Sequence, residues 1–429
     1  MIDMAEVYLW GTRVGVIWQK PDARAGSFEY DKNFLQSGME LSPFFMPLAE
    51  RVYSFPSLAN MESFRGLPGL LADSLPDKFG NAIINKWLAE QGRVPESFSA
   101  IERLCYTGKR GMGALEYVPA NGPTSNGSDI DITEMAKLAG DVLAGRERVT
   151  LSEKEIDLTK LLEIGSSAGG ARAKAVIAWN EETGEIRSGQ IDLGPGFKHW
   201  LLKFDGVDKN GDHGEADPKQ YSLIEYAYYL MAIDAGIQMQ ECRLLEKDGR
   251  RHFMTARYDR IGSDKLHVQT LGALSHLDYN TPGACSYELY ASYADRLGVD
   301  KNDKRQIFKR LVFSVIGMNH DDHVKNFSFI MDRKGVWRLA PAYDVTFAYN
   351  PNNKWLSHHQ MTIRNKTANI MEEDLLAFGK SIRLNADFCK NAIYDVKRIL
   401  GNWKEYAGKC GIKEERADAI QKILNLNGF

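Results

Sequence analysis

Cysteine is scarce and scattered in this chain. Cys105, Cys242, Cys285, Cys389 and Cys410 are odd in number, far apart and never in a CxxC pair. That pattern supports neither a disulfide framework nor a structural zinc site, and it suits a reduced, cytoplasmic compartment. No run of about 18 apolar residues is present to span a bilayer, so no membrane partner is expected. The opening stretch MIDMAEVYLWGTRVG has early acids and alternates like a strand, unlike a signal peptide. An excess of one charge is also missing. Lys and Arg number 54 against 57 Asp and Glu, a net charge of −3, so there is no general footprint for nucleic acid, only room for a local basic patch. Internal repeats and low-complexity tracts are absent as well.

What remains is a globular composition, 44% hydrophobic and 26% charged over 429 residues, too long for one ordinary core. Residues 5–30 read as a hairpin with Gly11 in its turn, followed by SFEYD. From about Asp77 the rhythm becomes helical, with Ile83, Ile84, Trp87 and Leu88 at three-to-four spacing. CYTGKRGMGALEYVP returns to turn and strand chemistry. ANGPTSNGSDID at 120–131 is the best domain boundary, because Gly, Asn, Ser and Pro crowd there. Beyond it, ITEMAKLAGDVLAG and EIDLTKLLEIG are helical, and GSSAGGARAKAVIAWN is a small-residue loop entering a strand. HWLLKFDG is another strand. YSLIEYAYYLMAIDAGI is a helix ending near Gly236, and CRLLEKDGRRHFMTARYDR is a hairpin turning at Asp248–Gly249. From about 285 the pattern is mainly helical. The expected fold is α+β: a small N-terminal α+β domain at 1–130, then a two-lobed, protein-kinase-like domain. Its β-containing small lobe would cover 131–258 and its helical large lobe 259–429.

The stretch GMNHDDHVKNFSF at 317–329 sits between two apolar segments, where a polar loop leaves a core and chemistry is usually found. Phosphoryl transfer needs a carboxylate beside the attacking hydroxyl and oxygen ligands for magnesium beside the phosphates. Protein kinases carry an Asp and, five residues later, an Asn in one loop. Asp321 and Asn326 have that spacing, whereas Asp322 is one residue short. FSFIMDRKGVWRLA then makes a hairpin, and Asp344 follows in a turn, in the place of a second magnesium carboxylate. The plain alternative is that these residues cap a helix end and fill a turn. A zinc site from His320, His323, His358 and His359 is a further alternative, although oxygen ligands dominate here and favour magnesium.

Other parts of such an enzyme have candidates. Gly165, Gly169 and Gly170 in GSSAGGARAKA would let backbone N–H groups approach phosphates, though the loop fits neither common phosphate-loop pattern. Lys203 lies in an apolar strand and needs a partner if buried, for which Glu225 is the natural choice. Ala256, Arg257 and Tyr258 would offer backbone groups to an adenine. DKNGDHGEAD at 208–217 lacks the glycine of a calcium loop and reads as a solvated loop. Arg364, Lys366 and Lys380 are candidates for a basic surface near DNA, with a solvated face as the plainer reading.

These pieces resemble, in order and over nearly the whole chain, the HipA family of bacterial serine/threonine kinases, the toxins of toxin–antitoxin pairs. VYLWGTRVGVI, LLADSLPDKFGN and GKRGMGALEY resemble the family's N-terminal domain; SSAGGARAK its phosphate loop; LLKF, TARYDR, NHDDHVKNFSF and APAYDV the rest. The resemblance implies Asp321 as catalytic base, Asn326 and Asp344 as magnesium ligands and Lys203 on the ATP phosphates. It implies nucleotide contacts from Gly169, Gly170, Ala171, Arg172, Ala173 and Lys174, from His323, Lys325, Asn326, Tyr343 and Asp344, and from the hinge at Ala256, Arg257 and Tyr258. GARAK departs from the family's usual ending at Arg172 and Ala173, and Ala256 stands where a family member has Glu. Ser167, with Ser166 beside it, matches the serine that autophosphorylates; a phosphate there would set negative charge against the nucleotide. The implied cofactors are ATP and Mg2+. The implied partners are a protein substrate of the aminoacyl-tRNA synthetase class, glutamyl in the known case, and a HipB-like helix-turn-helix antitoxin through which alone DNA is met. Two other readings of the same residues are a small-molecule phosphotransferase and a catalytically weak kinase-like co-repressor.

Overall fold

The computed structural model describes residues 2–122, 129–144, 150–151, 154–155, 161–162, 164–165, 172–191, 193–207 and 220–429. They form two compact units. The first takes residues 1–219, 245–269 and 331–335; the second takes 220–244, 270–330 and 336–429.

The first unit opens with the expected hairpin. β1 (Met4–Leu9) and β2 (Thr12–Trp18) are joined through Trp10 and Gly11, both at positive φ, the two-residue turn whose twist suits a hairpin. With β3 (Ser27–Tyr30), β4 (Val52–Ser54) and β5 (Leu115–Val118) they make a sheet of order β4-β3-β2-β1-β5. Alternate residues of β1 are buried, so one face of this sheet carries Val7 and Leu9 into a core with Phe28 and Tyr117. Gly15 in β2 is there for space: a Cβ would lie 2.2 Å from the Glu29 carbonyl oxygen.

Two helices follow, α1 (Lys78–Glu90) and α2 (Ala100–Thr107), and then α3 (Ile132–Leu143). Asp77 caps α1 by accepting from the Gly80 N–H at 2.6 Å. Ser99 and Glu102 form a reciprocal capping box on α2. The sequence reading put Cys105–Thr107 in turn and strand; they finish α2, and the strand starts only at Leu115. The second sheet contains β6 (Lys174–Trp179), β7 (Ile186–Ser188), β8 (Lys198–Lys203), β9 (Cys242–Lys247) and β10 (Arg250–Ala256), in the order β9-β10-β8-β6-β7. Trp200, Leu202, Ala175, Ile177 and Met254 share one face and pack on Phe79, Ile83 and Leu138 of the helices. Lys203 and Lys174 are direct cross-strand partners and therefore lie on the other face.

Asp259 forms the polar centre of this unit. Its carboxylate is fully buried and accepts from Arg257 at 2.9 and 2.7 Å, from Arg260 at 2.6 Å and from the Gly113 N–H at 2.7 Å. Burial alone would raise its pKa, but the two guanidiniums outweigh that and hold it well below the usual carboxylate range. Arg257 and Arg260 also donate to the Gly111 carbonyl. The TARYDR segment is thereby fastened to the GKRGMG loop, 146 residues away in sequence.

The second unit is mainly helical: α4 (Tyr221–Asp234), α5 (Tyr287–Arg296), α6 (Lys301–Ile316), α7 (Glu372–Ser381), α8 (Ala386–Gly401), α9 (Trp403–Lys409) and α10 (Glu414–Leu426). Two short strands interrupt them, β11 (Ser328–Met331) and β12 (Trp337–Leu339). α6 and α8 are the most closely associated pair, and α7 meets them where Gly379 lies under Phe308 and Cys389. The α+β expectation therefore holds, with strands concentrated in the first unit and helices in the second. No helix among the described residues is long and apolar enough to cross a membrane. All five cysteines are buried free thiols.

Four histidines are buried hard enough to resist protonation. Burial lowers His252 and His276 from 6.5 to about 4, and His267 and His320 to about 3. The unfolded chain takes up these protons near its ordinary pKa and the folded chain does not, so stability present above about pH 6.5 is lost as pH falls towards the folded values. Thermal unfolding of the full chain is accordingly expected at a lower temperature at about pH 5 than at about pH 7.5. A flat Tm over that range would contradict this burial.

Candidate functional site in the second unit

The polar loop 317–329 begins where α6 ends. Gly317 caps α6, Met318 turns the chain at φ 54°, and the backbone of Asn319 and His320 runs beside Ala348. The His320 N–H donates to the Ala348 carbonyl and the Ala348 N–H to the Met318 carbonyl, each at 3.0 Å. These bonds bring the strand-like segment 342–348 alongside the loop, which is what draws Asp344 towards it.

The two adjacent aspartates have different surroundings. Asp322 is 2% exposed. Its Oδ1 accepts from the Gln360 N–H at 2.7 Å, and its Oδ2 accepts from Tyr287 Oη and His359 Nδ1, each at 2.9 Å. A carboxylate so enclosed is a fixture of the architecture. The Asp321 side chain is 23% exposed and faces a pocket, with His323 Nε2 3.8 Å from its Oδ1. That pocket is also lined by Asn326, Tyr343, Asp344 and Arg310. The structure thus brings together the three residues expected to carry the chemistry, Asp321, Asn326 and Asp344, all on the second unit.

Each is held by neighbours. Asn326 Nδ2 donates to the Asp321 carbonyl at 2.7 Å, which closes the loop on itself and leaves the amide oxygen as an acceptor. Tyr343 Oη donates to the Lys325 carbonyl at 2.7 Å and takes the Ser328 hydroxyl at 2.5 Å, so Asp344 is anchored through its neighbour. Asp344 itself sits at φ 53°, a left-handed conformation that Asp bears at lower cost than most residues. Arg310, buried in α6, donates to the Ala340 carbonyl at 2.7 Å and steadies the same segment. His323 and Lys325 flank Tyr279, with ring centroids 5.2 Å apart for the former and the ammonium 5.3 Å from the ring for the latter.

These groups suit a hard divalent cation. Magnesium takes oxygen donors and is commonly held by one or two protein groups plus phosphate oxygens. One carboxylate at Asp344 and one amide oxygen at Asn326 match that set, with Asp321 beside them. The four histidines weighed for zinc do not assemble. The ring centroids of His320 and His359 lie 4.3 Å apart, but His323 is on Tyr279 and His358 bonds Ser357. Among the described residues, no three His, Cys, Asp or Glu side chains are placed to hold a metal.

In the first unit the candidates fare unevenly. Lys203 is half-buried on the non-core face of the sheet, its ammonium 5.7 Å from the Phe253 ring. Lys174, expected on the phosphates, instead faces the Asp77 carboxylate at 3.3 Å, with both side chains almost wholly buried; it has become part of the α1 cap. Ala173 is buried and gives its carbonyl to the Phe204 N–H, while Arg172 is half-buried. At the hinge, the Arg257 N–H donates to the His199 carbonyl, and its Nε and Nη2 donate to the Asp259 carboxylate. Ala256 is buried in the core and Tyr258 half-buried. Ser166, Ser167, Gly169, Gly170 and Ala171 lie outside the described residues, as does the loop 208–217. Glu225 is buried in the second unit and Lys203 belongs to the first. The basic residues Arg364 and Lys366 are both paired with Asp374, at 3.3 and 2.7 Å, while Lys380 is exposed.

Sequence reasoning missed the residues that hold Asp322. Tyr287 opens a helix, and the run HHQ at 358–360 drew notice only as a zinc alternative. The available signal was a buried second aspartate in DD, which obliges partners somewhere in the chain.

The strand-rich and helical units, with a polar loop and a second carboxylate on one pocket, make a kinase-like α+β fold. Residues 166–422 match the model of the HipA-like C-terminal domain and residues 5–118 that of the HipA N-terminal domain. The chain belongs to the HipA family. HipA of Shewanella oneidensis MR-1, solved with HipB and its operator DNA, superposes over 99% of this chain and 95% of its own, with a TM-score of 0.69 at 15% identity. A Haemophilus influenzae protein described as "Putative kinase" is 30% identical over 161 residues, 33% of this chain. The match spans 46% of that relative.

The difference between the two aspartates is measurable. Asp322→Ala removes a charged acceptor from three buried donors and is expected to lower stability by about 3 kcal/mol or more. Asp321→Asn is expected to change it by less than about 1 kcal/mol. Thermal or denaturant unfolding of both variants checks this; equal losses would contradict the assignment.

Proposed function

We propose that this chain is an ATP- and Mg2+-dependent serine/threonine protein kinase of HipA type. The observation that carries the reading is the convergence of Asp321, Asn326 and Asp344 on one pocket of the second unit. Asp321 is assigned the acceptor of the proton from the attacking hydroxyl, a role that suits a partly exposed carboxylate with an imidazole 3.8 Å away. The Asn326 amide oxygen and the Asp344 carboxylate are assigned to magnesium, which when bound supplies positive charge against the triphosphate oxygens. Asp322, Tyr343 and Arg310 keep these groups in place, and Tyr343 is also assigned to the nucleotide. Lys203 is assigned the nucleotide phosphates. The nucleotide contacts implied by the family resemblance are retained as assignments, Lys174 being paired with Asp77 and Arg257 with Asp259 as well.

The finer parts of the reading rest on the family. We infer that a phosphate-loop serine, Ser167, is autophosphorylated, and that the protein substrate is of the aminoacyl-tRNA synthetase class, with translation the process inhibited. We also infer a HipB-like antitoxin partner, through which the complex meets DNA, because the Shewanella relative was solved in such an assembly.

The test is transfer of labelled phosphate from ATP to the purified chain. The wild type is expected to label itself with Mg2+ and to lose the signal on chelation. Asp321→Asn is expected to reduce the rate by at least about a hundredfold. Undiminished labelling in that variant would remove Asp321 from its role.

A further inference from the structure

A second cavity lies in the helical unit, on the side of the polar loop where His320 and His359 stand. It measures about 390 Å³, within the range of small-molecule sites. Val315, Ile370, Ile423 and Leu426 supply an apolar wall, and the two histidines supply the polar end. No Asp, Glu, Lys or Arg is among the described residues that line it.

The histidines are 6% and 4% exposed. Each uses one ring nitrogen inward: His320 Nδ1 lies 3.0 Å from the Leu356 carbonyl and His359 Nδ1 2.9 Å from Asp322 Oδ2. A carbonyl and a carboxylate can only accept, so Nδ1 carries the hydrogen in both rings. In the neutral ring Nε2 then keeps a lone pair. Among the described residues neither Nε2 has a protein hydrogen-bond partner. Burial keeps His320 neutral, far below its ordinary pKa. The ring centroids lie 4.3 Å apart with the planes tilted by 44°, and Tyr349 meets His320 edge-on at 5.1 Å. An acceptor on buried His320, at the end of an aromatic-edged cavity with no charged side chain among its described lining residues, calls for a ligand that donates a hydrogen bond and carries no charge.

We propose that this cavity binds a neutral, planar small molecule bearing N–H donors, an aromatic carboxamide or amino-heterocycle, with a donor on the Nε2 atom of His320 and its edge against His359. Two imidazoles fall short of the three protein ligands of a zinc site. Because His359 also holds Asp322, a ligand on its far side braces the loop that presents Asp321. Binding itself does not depend on the kinase reading.

The full chain is tested with nicotinamide and with cytosine, and with benzoate as an anionic control of similar shape, by saturation-transfer NMR with and without a non-hydrolysable ATP analogue. The expected result is binding of nicotinamide or cytosine but not benzoate, unaffected by the analogue. His320→Phe removes one acceptor and Ile423→Trp fills the apolar wall away from the loop; each is expected to weaken binding at least tenfold. Amide exchange over 319–326 is expected to slow when the probe is bound. Absence of transfer from both probes, which would leave a water-filled cavity only, overturns the proposal. So does equal binding by both variants, displacement by the ATP analogue, or stabilisation by zinc alone without probe binding. None of these readings needs phosphoryl transfer, so failure here and failure of the kinase assignment are told apart.

Discussion

The carboxylate of Asp322 is the constraint on which the candidate site depends. A charge with 2% exposure must be surrounded by donors, and here they come from separate places: the first residue of α5, the backbone of Gln360 and the ring of His359. Moving the loop would strand a carboxylate in the core, a cost of several kcal/mol. Asp321 and Asn326 therefore inherit their positions from a buried neighbour. The Asn326 bond to the Asp321 carbonyl and the Tyr343 bond to the Lys325 carbonyl add a second layer of restraint. These bonds leave Asp321 and Asp344 facing the pocket.

The first unit uses the same device. Asp259, fully buried between two arginines, fastens the segment after β10 to the loop before β5. Asp77 both caps α1 and neutralises Lys174 on the edge of the second sheet. The counter-charges of Asp259 are local, but its bond from the Gly113 N–H and the Arg257 bond to the Gly111 carbonyl reach 146 residues along the chain, and Lys174 meets a carboxylate 97 residues before it. Two residues that resemble nucleotide contacts in the sequence, Lys174 and Arg257, thus have buried carboxylate partners in the structure.

Much of the fold was legible in the sequence because local physics decides it. The turn at Trp10–Gly11, the cap at Asp77, the helix over 221–234 and the hairpin at Asp248–Gly249 each follow from period, capping or left-handed turn residues within a few positions. The order Asp, Asn, hairpin, Asp was legible for the same reason: spacing along a chain survives folding. The end of α2 was misplaced because Cys105–Thr107 run directly into a glycine-rich turn, and capping at Gly108 settled the boundary.

By itself, then, the sequence determined the element types, the α+β class, the family and the three side chains around which the candidate site is built. All of these rest on short-range patterns or on collinear order. Only the tertiary structure decided which of two adjacent aspartates is buried, that Lys174 answers Asp77, that Asp259 takes the Gly113 N–H, and that His320 and His359 meet while His323 does not. Burial and pairing are set by residues tens or hundreds of positions away. A charge reads the same in the sequence whether it faces a ligand or a partner inside the core.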